Sequence, residues 1–250
     1  TTNICTTQDY RAAFSEHTAM ILSVHRSNFA IRGFTASPSI NELAGLKPEE
    51  VLLCVDQGSG VLDEALPGET SVRSHLAGGA DLVCFSGDKV LGGPQAGIIA
   101  GKADLIKTLE HHPLMRVVRP GKTVYSLLEA SLIRRLNGSA TTVAETLALT
   151  TKELKSRARS LLHGINRQKV SVIESTFTTG GGSSPDETFP SLSVSINIDE
   201  PAEQVLRILR EASPPIIGTI AADKVHLNLA TIQQQEIPHI RQQLQKILGG

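Results

Sequence analysis

The sequence predicts an α/β fold, a mostly parallel sheet covered by helices, followed by a smaller α+β unit. Three observations carry this. Short continuous apolar runs at 19–24, 51–55 and 82–85 alternate with helix-like stretches, as buried parallel strands do. Each run ends in polar or glycine residues, where α/β sheets gather ligands. Beyond Pro120 the pattern turns helical and then to alternating strands.

In order, a helix over 9–16 precedes the first strand, Ala19-Met20-Ile21-Leu22-Ser23-Val24, which runs into His25-Arg26-Ser27-Asn28. A short helix over 39–46 leads to the second strand, Val51-Leu52-Leu53-Cys54-Val55, ending in Asp56-Gln57-Gly58-Ser59-Gly60. A helix over 71–77 precedes the third strand, and 95–100 supplies a fourth before a helix over 103–110. Two helices follow, 123–136 and 141–164. Leu147, Leu154 and Leu161 recur at sevens in the second, too few positions for a coiled coil. Alternation predicts strands at 170–175 and 192–198, separated by Gly180-Gly181-Gly182-Ser183-Ser184-Pro185. An amphipathic helix over 201–212 sets Val205, Leu206, Ile208 and Leu209 on one face. A hairpin turning at Ala221-Ala222-Asp223 and a helix over 238–248 close the chain. The expected division is a larger unit over 1–137, a connecting helix over 138–164 and a small α+β domain over 165–250.

With 250 residues, 40% of them hydrophobic, the chain can bury a core. Its 24 Lys plus Arg nearly cancel 25 Asp plus Glu, which excludes a global basic field for nucleic acid. Any polyanion contact must be local. Cys5, Cys54 and Cys84 are an odd set, two of them inside apolar runs, which fits a reducing, cytoplasmic home. No apolar stretch approaches the roughly 18 residues that span a bilayer, so no membrane role is expected. Thr1 in place of an initiating Met suggests a processed or excised segment.

The chemistry centres on Lys89, in the glycine-rich loop between the third and fourth strands. A loop lysine is ordinarily a solvated residue. Here Ser86, Gly87, Gly92 and Gly93 permit close backbone approach and offer a hydroxyl, so the amine could form a Schiff base with an aldehyde cofactor. Pyridoxal 5'-phosphate is the common aldehyde of this kind, and it needs a carboxylate against its ring nitrogen. Asp56, at the preceding strand end, is the natural candidate, although alone it reads as a turn aspartate. His25 stands evenly between a ligand and an ordinary strand-end histidine. Arg116 and Arg119, three apart, would share a helical face and could clamp an anion, although two such arginines are usually a solvated surface. Gly180 to Gly182 read as a flexible loop sooner than as a phosphate cradle.

Ser27-Asn28-Phe29-Ala30-Ile31-Arg32-Gly33-Phe34-Thr35, Asp56-Gln57-Gly58-Ser59-Gly60 and Phe85-Ser86-Gly87-Asp88-Lys89-Val90-Leu91-Gly92-Gly93-Pro94-Gln95-Ala96-Gly97 closely resemble the bacterial selenocysteine synthases, the L-seryl-tRNA(Sec) selenium transferases. The resemblance runs over essentially the whole chain. It implies a fold-type I pyridoxal-phosphate enzyme of the aspartate-aminotransferase-like fold, here the C-terminal part of its large domain followed by the small domain. It further implies that Lys89 carries the cofactor, that Asp56 holds its pyridinium, that Ser86, His25, Gly92 and Gly93 contact it, and that Asp88 assists the chemistry. Arg116 and Arg119 would bind selenophosphate. The implied reaction turns seryl-tRNA(Sec) into selenocysteinyl-tRNA(Sec) through a dehydroalanyl-tRNA intermediate, in homodimers assembling into a decameric ring. One departure is Asn228-Leu229-Ala230, where the family often has an arginine in place of Ala230. The other readings are a lyase or synthase of the same fold acting on a free amino acid, and a catalytically incomplete assembly fragment.

Overall fold

The computed structural model describes residues 3–25, 31, 33–62, 66–138, 142–179 and 187–249. The chain divides into two compact bodies, one of residues 1–144 with 179–187 and one of residues 145–178 with 188–250.

In the first body α1 (Thr7–Ala13) precedes β1 (Met20–Val24), and α2 (Ile40–Leu46) precedes β2 (Leu52–Gly58). The α3 helix (Val72–Ala77) leads into β3 (Leu82–Ser86), followed by β4 (Gly97–Gly101), α4 (Ala103–His111), α5 (Leu114–Val118) and α6 (Lys122–Leu136). Helix starts are written locally: Thr6 with Asp9 and Ser39 with Glu42 form reciprocal capping boxes at α1 and α2. The sheet order is β1-β2-β3-β4, with the first three strands parallel and β4 antiparallel to β3.

One side of this sheet is dry. Ile21, Leu43, Val51 and Leu53 form one buried cluster, and Val55, Val72, Val83, Phe85 and Leu91 another. On the other side Met20, Leu22, Val24 and Ile99 are exposed. At the foot of β3 the buried Asp81 carboxylate accepts the Leu53 N–H (2.7 Å) and lies 2.6 Å from Lys102 Nζ and 3.4 Å from Lys47 Nζ. Burial pushes its pKa up, but the Lys102 hydrogen bond, the Leu53 N–H and Lys47 together outweigh this and hold it below the ordinary carboxylate value.

The stretch 141–164, expected as one helix, is two: α7 (Thr142–Leu147), which crosses the division between the bodies, and α8 (Thr151–Leu161). The break is Thr150, whose side chain caps the Glu153 N–H while Glu153 returns to the Thr150 N–H. In the second body β5 (Val170–Phe177), β6 (Phe189–Ile196), α9 (Ala202–Arg210), β7 (Thr219–Ala221), β8 (Lys224–Asn228) and α10 (Ile237–Leu248) follow. Its antiparallel sheet, ordered β5-β6-β8-β7, packs Val194, Ile196, Val225 and Leu227 with Leu154, Leu161, Leu209 and Leu244 of the helices. Of the expected apolar face of α9, Val205, Leu206 and Leu209 are buried while Ile208 stays 41% exposed. The β7–β8 hairpin turns on Ala222 and Asp223, both with positive φ, as this tight turn type requires.

Among the described residues no helix is long and apolar enough to cross a membrane.

Candidate active site

The site is built where β2 and β3 end. After Asp56 the β2 strand shifts register, and Gly58 and Gly60 take φ of 74° and 78°, conformations that glycine adopts without strain. The turn is fixed from within by Gln57, whose side chain is buried. Gln57 Nε2 donates to Ser59 Oγ (2.5 Å) and to the Thr70 carbonyl (3.2 Å), while Oε1 accepts the Gly60 N–H (2.8 Å). A Cβ on Gly60 would stand 2.5 Å from the Ser86 carbonyl oxygen, so the β2 exit lies directly on the β3 exit.

The loop 87–96 is pinned to this turn. The Val90 N–H donates to the Ser59 carbonyl (3.0 Å), and Val90 and Leu91 are 2% and 1% exposed, plugging the loop into the core. Gly87 donates to Ala96 (2.8 Å), Gly93 to Gly87 (2.7 Å) and Gly92 to Lys89 (3.0 Å). The closeness that these glycines allow is therefore between parts of the loop itself: a Cβ on Gly87 would meet the Pro94 carbonyl at 2.7 Å. The amides of Gly92 and Gly93 are spent inside the loop, and these two residues act through shape. Lys89 is left half-buried at the crest, with Asp88 exposed beside it.

Two hollows flank the Ser86–Gly97 ladder. One of about 560 Å³ is lined by Lys89, Asp88, Gln95, Ser86 and Gly97, and the other, of about 650 Å³, by Asp56, Cys84, Ser86, Gly97, Ile98 and Met115. Val118 and Pro120 wall both, so Lys89 and Asp56 open onto adjoining spaces. The wall is the segment that carries the arginines. Arg116 lies in α5, but the helix ends at Val118 and Arg119 is extended (φ −61°, ψ 123°), so the two do not share a helical face. Both are exposed.

Next to Asp56, Cys54 and Cys84 set their sulfurs 3.9 Å apart across β2 and β3. Burial, then the neighbouring Cys84 and Asp56, push the Cys54 thiol up to about 12, and burial raises Cys84 too. Both stay protonated at neutral pH.

His25 goes elsewhere. Its N–H donates to the Asp56 carbonyl (2.8 Å), yet alternation along β1 sends Ser23 and His25 to the side opposite Val24, the register partner of Asp56. Its imidazole Nε2 meets Glu69 Oε2 at 3.1 Å, on a carboxylate side chain that is fully buried. Glu69 and the buried His75, neither in a motif, are the residues that sequence reasoning missed. Residues 26–30, 32 and 180–185 of the expected motifs lie outside the described residues. In the second body the Arg157 guanidinium donates to the carbonyls of Leu229 (3.1 Å), Ala230 (3.4 Å) and Ile232 (2.8 Å), holding the segment that carries Ala230.

The residues present fit a pyridoxal-phosphate cofactor in their chemistry. A primary amine at the loop crest and a carboxylate at the adjoining strand end line neighbouring hollows that share Ser86, Gly97, Val118 and Pro120, beside a backbone junction too tight for any side chain.

The model of the family described as L-seryl-tRNA selenium transferase matches residues 1–233. An L-seryl-tRNA(Sec) selenium transferase of Carboxydothermus hydrogenoformans is 36% identical over 263 aligned positions, covering all of this chain and 56% of that protein. One from Haemophilus influenzae is 41% identical, covering 94% of this chain and 55% of its own. The chain spans about half the length of the curated relatives it matches. Among solved structures, a D-glucosaminate-6-phosphate ammonia-lyase superposes with a TM-score of 0.63 at 21% identity, over 99% of this chain and 62% of that one, a likeness of fold. By its family model and its relatives, the chain belongs to the L-seryl-tRNA selenium transferase family.

Proposed function

We propose that the whole protein converts seryl-tRNA(Sec) to selenocysteinyl-tRNA(Sec) with selenophosphate, through a dehydroalanyl-tRNA intermediate, and that the first body carries its pyridoxal 5'-phosphate on Lys89. The observation that carries this is the 87–96 loop, pinned through Val90 onto the Ser59 turn so that Lys89 stands beside the hollow of Asp56. When bound, the cofactor supplies an electron sink that acidifies the seryl Cα–H and eases loss of the hydroxyl as water. The Lys89 amine binds it and moves the proton at Cα. The Asp56 carboxylate holds a proton on the ring nitrogen, and Ser86, between the hollows, offers a hydroxyl to the bound group. Gly92 and Gly93 shape the loop, and His25, whose N–H fixes the Asp56 backbone, supports the strand end. Asp88 assists at the crest, and Arg116 and Arg119 bind the selenium donor by charge.

Self-association into dimers and a larger ring belongs to the same reading. Leu114 and Val117 are 61% and 78% exposed on α5, apolar side chains one helical turn apart that favour a partner. Sedimentation reads it, and a monomer at every concentration rejects that part.

The test is the Schiff-base absorbance band on adding pyridoxal phosphate. It should form with the chain and vanish in Lys89→Ala, whereas no band, or one unchanged in the variant, rejects the enzyme reading. Arg116→Ala with Arg119→Ala should keep the band and weaken selenophosphate binding by about tenfold or more, because anion binding and Schiff-base formation use different groups. Equal loss of both would make the arginines structural.

A further inference from the structure

We propose that the cleft at the end of β1, facing the starts of α2 and α3, is a nucleoside-binding site. It measures about 790 Å³ and is lined by Ser23 and His25 of the β1 end, Ser39 and Asn41 at α2, and Thr70 and His75 at α3.

His75 points to a ligand. It is 7% exposed, and neither ring nitrogen has a hydrogen-bond partner among the described residues. Buried polar groups in folded chains are otherwise almost always paired. Burial and then the neighbouring His25 hold its pKa below the ordinary histidine value, outweighing Glu69, so the ring is neutral and offers one donor and one acceptor.

Charge decides what kind of ligand fits. Among the described residues no lysine or arginine lines the cleft, and the His25 imidazole already meets the Glu69 carboxylate at 3.1 Å. A phosphodiester or dianionic phosphomonoester would enter beside that buried carboxylate with no lysine or arginine among the described lining residues to meet it, and its oxygens only accept, leaving the acceptor nitrogen of His75 unanswered. A ribose hydroxyl both gives and accepts, matching His75 and the surrounding hydroxyls. Pro38, Ile40 and Val55 add apolar wall for the flat face of a base.

The choice of a nucleoside among hydroxylated ligands rests on the proposed function, because an aminoacyl-tRNA ends in an adenosine whose ribose carries the amino acid. The His25 N–H to the Asp56 carbonyl, 2.8 Å, sets the cleft at the end of the strand next to Asp56, on the opposite face of the sheet from its carboxylate.

Calorimetric titration of the full chain with adenosine, without pyridoxal phosphate, tests the site. Saturable binding at one per chain is expected, weakened about tenfold or more in His75→Ala. Since that variant could loosen α3, Ser74→Trp, placed on the exposed rim, should block the cleft while leaving the melting temperature in place. Absence of saturable binding, binding indifferent to both substitutions, or displacement of adenosine by inorganic phosphate overturns the proposal. A Schiff-base titration of the same samples keeps the two readings apart: a normal band with no adenosine binding rejects this site alone, and adenosine binding with no band rejects the catalytic reading alone.

Discussion

Replacing Gly60 by alanine tests how the lysine loop is held. Gly60 sits at φ 78°, and its added Cβ would lie 2.5 Å from the Ser86 carbonyl oxygen and 3.3 Å from Leu91 Cβ. Holding alanine in the left-handed region costs about 1 kcal/mol. Relieving the contact means opening the junction by about 0.9 Å to reach ordinary van der Waals spacing, an overpacking cost of about 1–3 kcal/mol. The sum is about 2–4 kcal/mol, and the strain is aimed at the Ser86–Leu91 segment that carries Lys89. Denaturant unfolding should show that loss, and at temperatures where the variant stays folded the affinity for pyridoxal phosphate should fall by about tenfold or more. Leu43→Ala is the control: Leu43 is 1% exposed in the other apolar cluster of the same body, so its removal costs a comparable 2–5 kcal/mol, roughly, without moving the loop. A folded Gly60→Ala protein with unchanged uptake, or equal loss of uptake in Leu43→Ala, would refute the reasoning.

Asp81→Asn should cost about 1–3 kcal/mol at neutral pH, by leaving the Lys102 and Lys47 ammonium groups without their carboxylate. Because the folded carboxyl titrates below its unfolded value of about 3.9, its stabilising share is full above that pH and is lost as pH falls through the lowered folded value. Wild type and variant should therefore converge in acid unfolding curves, and a gap unchanged down to the acid limit would contradict the assignment. Iodoacetamide should leave Cys54 unmodified at pH 8, where an exposed thiol reacts, since its thiol titrates only near 12. Labelling of Cys54 at the rate of a free thiol would show that the strand pair is open.

Much of this architecture is local and was legible. Ser39 with Glu42 announces α2, and the apolar runs before Asp56 and Ser86 are the buried parallel strands that they suggest. The break between α7 and α8 was also written in the chain, as Thr150 and Glu153, but the sevenfold leucines masked it: Leu154 and Leu161 are core residues of a separately capped helix. What sequence could not supply depends on the third dimension. His25 lies one residue past Val24, and only pairing with β2 decides that it turns toward Glu69 and away from the side of Asp56. His75 and Glu69 sit in no motif, because what sets them apart is burial. The glycines around Lys89 were recognisable as a loop, but that Gly87 and Gly93 serve contacts within it emerges only from the folded backbone. Arg116 and Arg119 were read as one helical face because their spacing allows it, whereas the helix stops between them, just ahead of Pro120.

The claim on which the rest depends is that Lys89 is the residue that holds the cofactor. Borohydride reduction of the chain after incubation with pyridoxal phosphate, followed by peptide mass mapping, tests it directly. The account predicts one phosphopyridoxyl group per chain, on the peptide containing Lys89. A modification on Lys102 or another surface lysine, or scattered labelling with Lys89 unmodified, would contradict it.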